Sequence, residues 1–145
     1  MPFYGHRVKE FMRRELVSCR AATPIDLLAD RLHANDSTLL LVVDDDGYAL
    51  GTVSENDLLV AQRRNSTALA GEIMQQPAAT CLPETPLREA VTRMYRNRVD
   101  HLLVVKPGEE RFYPMGIICM SDVVRRLVEQ STARETTRND RAYRS

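Results

Sequence analysis

Gly51-Thr52-Val53-Ser54-Glu55-Asn56-Asp57-Leu58-Leu59 and Gly116-Ile117-Ile118-Cys119-Met120-Ser121-Asp122-Val123-Val124 are two versions of one phrase. Each opens on glycine, has an aliphatic residue two positions on, and reaches an aspartate followed by two aliphatics. Working outward, the chain resembles itself at nearly constant spacing. Val8-Lys9-Glu10-Phe11-Met12 aligns with Ala70-Gly71-Glu72-Ile73-Met74. In the same register, Cys19 falls on Cys81, Thr23-Pro24 on Thr85-Pro86, Arg31 on Arg93 and Asn35 on Asn97. Leu40 to Val43 then falls on Leu102 to Val105. Beyond that run the second copy gains three residues, and Gly51 and Asp57 match Gly116 and Asp122. The chain is a duplication.

Each copy reads as strand, helix, strand, strand, helix. Thr23-Pro24-Ile25-Asp26 has the composition of a helix start, with Thr expected as N-cap and Pro at the first helical position. Ile25, Leu28, Ala29 and Leu32 follow on one helical face, as Leu87, Ala90, Val91 and Met94 do in copy two. Residues 39–43 and 102–105 are short, fully apolar and rich in valine and leucine, as buried strands are. Asp44-Asp45-Asp46-Gly47 predicts a hairpin turn, and residues 107–114 a longer one. The return strands are expected at Tyr48 to Val53 and Met115 to Cys119. Closing helices are expected from Ser54 to about Arg64, and from Met120 to about Gln130. A unit of about 60 residues buries too little surface to be comfortable alone. Two such units packed sheet against sheet remove that difficulty.

On these residues the chain resembles the CBS (cystathionine β-synthase) domain pair, or Bateman module. The E-F-M and E-I-M segments, the T-P helix starts, the L-L-V-V strands and the two glycine-to-aspartate phrases carry the resemblance. It implies an α/β (α+β) fold: a tandem CBS repeat of β-α-β-β-α units, sheet to sheet, with pseudo-two-fold symmetry. The expected domains are residues 7–66 and 69–130, followed by a polar tail at 131–145. A helical extension packed along a dimer is the expectation for that tail.

The resemblance also implies clefts between the copies that take adenosine nucleotides. Carried onto this chain, Asp57 and Asp122 become the candidates for the ribose hydroxyls. Ser54, Asn56 and Ser121 become the phosphate-side candidates, where helix N-termini offer free N–H groups. Thr38, Asp100 and His101, just ahead of the central strands, complete the set. The implied ligand is AMP, ADP, ATP or S-adenosylmethionine acting as a regulator, with no covalent cofactor and no metal. The implied partners are a second copy of the chain, in a homodimer, and an unidentified regulated protein. A ligand-free structural dimerisation module of the same fold is the alternative.

Simpler readings stand beside these. Ser54 and Asp57 also form a capping-box pattern, in which each side chain serves the other's backbone. His101 could touch phosphate, or be a hydrogen-bonded structural residue. Asp100 beside it would repel phosphate unless turned away. Cys119 replaces the hydroxyl residue expected there. The arginines at 63, 64, 125 and 126 could reach a polyphosphate or stand as solvated helix ends.

Composition excludes several classes. The 145 residues hold 20 Lys plus Arg against 20 Asp plus Glu. Residues 1–69 carry 8 basic and 10 acidic groups, and residues 70–145 carry 12 and 10, so neither half has a nucleic-acid binder's basic excess. No apolar run approaches the ~20 residues of a membrane span, and the N-terminus has no h-region of a secretory signal. Cys19, Cys81 and Cys119 are odd in number and form no C-x-x-C pair, which points to a reducing cytoplasmic compartment. No phosphate-loop, nucleophile-elbow or zincin motif is present, so no catalytic role is expected.

Overall fold

A computed structural model describes residues 5–143 apart from 36, 38, 66, 77 and 78, with side chains to residue 132. Copy one contributes β1 (Ser18–Cys19), α1 (Ile25–Ala34), β2 (Leu39–Val43), β3 (Ala49–Ser54) and α2 (Glu55–Arg64). A short helix α3 (Ala70–Ile73) leads into copy two: β4 (Thr80–Cys81), α4 (Leu87–Arg96), β5 (His101–Val105), β6 (Pro114–Cys119) and α5 (Met120–Tyr143). Each copy makes one three-stranded sheet, β1-β2-β3 or β4-β5-β6. The first pair in each sheet is parallel and the second antiparallel. Two like units of mixed helix and strand content are what the repeat implied.

Strand periodicity builds three cores. Successive side chains on a strand point to opposite faces. Leu40 and Val42 of β2 therefore enter the core of copy one with Ile25, Leu28 and Leu58. Leu102 and Val104 of β5 enter the core of copy two with Leu87, Met94 and Val123. The alternate residues, Leu39, Leu41, Leu103 and Val105, meet Ile117 in a third cluster between the sheets. Every position of these central strands is used, which is why the runs read as continuously apolar.

The lead segments cross over. Val8, Phe11 and Met12, which precede copy one, are buried in the core of copy two. Ala68 and Ala70, which precede copy two, are buried in the core of copy one. Backbone bonds repeat on both sides: Val8 N donates to Thr85 O and Ala70 N to Thr23 O, at 2.9 and 2.8 Å. Leu87 N donates to His6 O and Ile25 N to Ala68 O, at 2.9 and 3.1 Å. These last bonds satisfy the first N–H of α4 and α1, groups every helix leaves without an internal partner.

The helix starts therefore differ from the expectation. Thr23 and Thr85 are not N-caps; Pro24 and Pro86 occupy those positions without a side-chain cap. Each Thr hydroxyl instead accepts from a backbone N–H three residues earlier, Arg20 or Leu82, closing the preceding turn. The crossing chain does the capping, so a side-chain cap is redundant. Other repeated polar residues have structural tasks as well. Arg31 and Arg93 donate to the carbonyls of Ser18 and Thr80 at 2.9 and 2.8 Å. Asn35 and Asn97 each donate to the carbonyl four residues back, at 2.8 Å.

The longer loop of copy two reaches over the hairpin of copy one. Ala49 N donates to Phe112 O at 2.8 Å, and Arg111 pairs with Asp44 while lying 4.4 Å above the Tyr48 ring. Asp44 also accepts from the N–H groups of Asp46 and Tyr48, so the acidic run is a turn tip. Helix α5 runs to Tyr143, well past residue 130. Among the described residues no helix is long and apolar enough to cross a membrane.

The phrase glycines admit the crossing backbone. A Cβ on Gly116 would stand 2.6 Å from Arg13 O, and one on Gly51 would stand 2.8 and 2.9 Å from Met74 Sδ and Gln75 O. Replacing Gly116 by alanine must push the lead segment off its sheet. The expected loss is ~1–3 kcal/mol, the usual range for an overpacked site, read by urea unfolding. A change below ~0.5 kcal/mol, ordinary for a neutral surface site, would contradict the crossing.

Candidate ligand clefts between the copies

Two clefts open where the sheets meet. The larger, about 860 Å³, is lined by Ser54, Glu55 and Asn56 of copy one and by Arg98, Asp100, His101, Cys119 and Ser121 of copy two. Five of the sequence candidates thus share one cleft: Ser54, Asn56, Asp100, His101 and Ser121. The smaller, about 500 Å³, is lined by the crossing residues Arg13 to Val17, by Asn35, Ser37 and Leu39, and by Ile117 and Cys119. Thr38 lies outside the described residues; its neighbour Ser37 lines the smaller cleft and Leu39 lines both. Asp57 lines an adjoining groove of about 430 Å³ with Asn56, Val60, Arg64 and Gln75.

The two motif aspartates sit in unequal surroundings. Ser54 Oγ accepts from Asp57 N at 3.1 Å, and Asp57 Oδ2 accepts from Ser54 N at 2.9 Å, so the reciprocal cap of α2 is formed. Asp57 Oδ1 faces the groove, where the neutral amide of Gln75 donates to it at 2.9 Å. Asp122 is only 6% exposed. Arg13 grips it with two parallel bonds, Nε to Oδ2 at 2.8 Å and Nη2 to Oδ1 at 2.9 Å, and Arg125 bonds the same Oδ1. At the start of α5, Met120 N donates to Asp100 O at 2.7 Å in place of the cap that Cys119 cannot supply.

Arg13 was not among the sequence candidates. It stands at the position in copy one's lead that Gln75 holds in copy two's lead, immediately after the matched E-F-M and E-I-M residues. Which copy that segment would visit was not readable from the repeat. Arg125 engages Asp122, while Arg126 stacks 4.2 Å from the Phe11 ring and bonds Glu10 O. Arg126 therefore helps to anchor the crossing segment, while Arg125 bonds an aspartate of its own helix.

His101 Nδ1 lies 2.9 Å from Asp100 Oδ1. That pairing occupies one carboxylate oxygen which would otherwise meet an anionic ligand. The cysteines are poor nucleophiles, because the thiolate is the reactive form. Burial pushes the Cys81 and Cys119 thiols up to about 11, and raises that of Cys19. Among the described residues no cluster of His, Cys, Asp or Glu is arranged to hold a metal.

With this geometry in place, comparison with known proteins settles the class. The chain belongs to the CBS domain family: the CBS domain model matches residues 8–64 and again 70–129. The CBS domain protein PAE2072 from Pyrobaculum aerophilum, solved in complex with AMP, is 28% identical, with a TM-score of 0.70 over 81% of this chain and 89% of that one. The CBS domain pair of protein MJ0100, solved with 5'-methylthioadenosine and S-adenosyl-L-methionine, has a TM-score of 0.77 at 20% identity, over 86% and 98% of the two chains. In sequence, 120 residues are 32% identical to the tetraacyldisaccharide 4'-kinase of Alcanivorax borkumensis, covering 74% of this chain. The chain spans only 33% of that kinase and 23% of a second curated relative.

The Arg13 hydrogen bonds hold the Asp122 carboxyl below the usual carboxylate range, outweighing burial, which acts the other way; the charges of Arg13 and Arg125 add to the lowering. A depressed folded value means that stability is present above the ordinary carboxylate pKa of ~3.9 and lost as pH falls through the folded value. Asp122→Asn removes that contribution. The difference in unfolding free energy between wild type and Asp122→Asn is expected to be full at pH 7 and to shrink below pH ~4. A difference unchanged from pH 7 to pH 2 would show that the carboxylate charge contributes nothing.

Proposed function

We propose that this chain is a non-catalytic regulatory module. It binds an adenosine nucleotide or related adenosyl ligand between its two CBS copies and passes its state to a protein partner in the cytoplasm. The observation that carries the reading is the larger cleft, where Ser54 and Asn56 from one copy face His101 and Ser121 from the other. A ligand there touches both copies, so it favours the arrangement that fits it and shifts the population toward that arrangement. Hydroxyls, an amide and an imidazole suit the ribose and phosphate of AMP, or the amino acid portion of S-adenosylmethionine. The AMP complex of the Pyrobaculum aerophilum relative supports that ligand class. Protonated thiols and the absence of any recognised catalytic motif support a binding role over a reaction.

Homodimerisation fits the exposed apolar side chains of the closing helices. Leu58 and Val123 are buried in their own cores, and Leu127 packs against the core of copy two. Leu59, Val124 and Val128 are the exposed ones, at 67%, 50% and 57%. Leu59→Glu combined with Val124→Glu is expected to convert a dimer to monomer in sedimentation velocity. An unchanged sedimentation coefficient would reject this face.

The structural-scaffold reading keeps one specific support, the full engagement of Asp122 by arginine. Thermal unfolding and calorimetry with AMP, ADP, ATP and S-adenosylmethionine separate the two readings. A ligand at 100 times its dissociation constant stabilises the fold by ~2.7 kcal/mol. Absence of any shift and any heat with all four compounds would leave the scaffold reading standing.

A further inference from the structure

We propose that the two motif aspartates are unequal because two arginines occupy the carboxylate of Asp122, so that the chain takes one adenosyl ligand, on the Asp57 side. The inference rests on the adenosyl reading above and makes it specific.

The repeat supplies an internal comparison. Gln75 and Arg13 occupy the same place in the two halves, each held to a sheet by paired backbone bonds. Gln75 exchanges bonds with Thr52 at 2.9 Å in both directions, and Arg13 exchanges bonds with Ile117 at 2.8 and 3.0 Å. The side chains start from equivalent backbone, yet one ends in a neutral amide and the other in a guanidinium. Val60 and Arg125 likewise stand three residues beyond Asp57 and Asp122. Copy one therefore gives the Oδ1 of its aspartate one amide bond, in a groove that Val60, Arg64 and Glu72 also line, whereas two arginines bond the aspartate of copy two.

A ribose offers two hydroxyl donors to a carboxylate. At Asp57 it competes with one neutral bond to Oδ1. At Asp122 it must displace a bidentate, charge-assisted pair and a further arginine from a buried carboxylate. Charge-assisted bonds are about twice as strong as neutral ones. Arg13 also lines the smaller cleft, so the group that grips Asp122 narrows the space a ligand would enter. Which aspartate takes the ligand is thus decided chiefly by the residue that follows the E-x-M segment.

Exchange of the two side-chain sets tests this by calorimetry with AMP and with S-adenosylmethionine. Wild type is expected to bind one molecule per chain. Arg13→Gln with Arg125→Val gives copy two the surroundings of copy one and is expected to add one site. Gln75→Arg with Val60→Arg closes copy one and is expected to weaken its site about tenfold or more. Two molecules bound per wild-type chain would overturn the proposal, as would an opened variant that gains none. Gln75 and Val60 are exposed, so the closing variant keeps its core and decides the question even where the opening variant fails to fold. Should wild type bind neither compound while the opened variant binds one, the adenosyl role of the natural chain fails and the closure stands. No binding to either protein removes both.

Discussion

Everything in this molecule depends on the crossing of two backbone segments. Each CBS copy lacks a piece of its own core and receives it from the segment that precedes the other copy. Val8, Phe11 and Met12 seal copy two, and Ala68 and Ala70 seal copy one. The exchanged chain also caps the first helix of each host and adds a bridge to its third strand. Hydrophobic burial and hydrogen bonding therefore act together across the copies. Neither half is a complete domain, and the small size of one repeat is overcome by sharing rather than by enlargement.

The same crossing makes the site. It delivers Gln75 to Asp57 and Arg13 to Asp122, so that each motif carboxylate meets a residue from the opposite lead segment. The proposed regulation by a ligand between the copies would act through this layout. The inter-sheet cluster of Leu39, Leu41, Leu103, Val105 and Ile117 is the joint, and the clefts lie at its margins. A molecule that touches both sides of such a joint couples its binding free energy to the relative placement of the copies.

Much of the fold was legible because duplication turns weak signals into paired ones. The apolar central strands, the hairpins and the starts of the closing helices appear where the pattern puts them, although α5 runs on past its expected end. The helix starts were misread, since Thr-Pro has the composition of a cap while the capping groups belong to a distant backbone. Five of the candidate residues read from the sequence converge on one cleft: Ser54, Asn56 and Ser121 of the two phrases, with Asp100 and His101 from the start of the second central strand. Asp57 and Asp122 were matched in sequence yet are unlike in surroundings, because side chains 18 and 109 positions away, delivered by the crossing segments, decide what each carboxylate faces. Local spacing has no access to that. Arg31, Arg93, Asn35 and Asn97 show the converse: repeated polar residues that hold strand and helix ends rather than a ligand.

The central claim is that an adenosyl ligand seats between the copies, in contact with both. An amide-resolved NMR titration of nitrogen-15-labelled protein with AMP tests it most directly. The account predicts saturable shifts at Ser54, Asn56, His101 and Ser121 together, with one midpoint, while the outer faces of α1 and α4 stay still. Shifts confined to one copy, or to residues outside the inter-copy clefts, would contradict it.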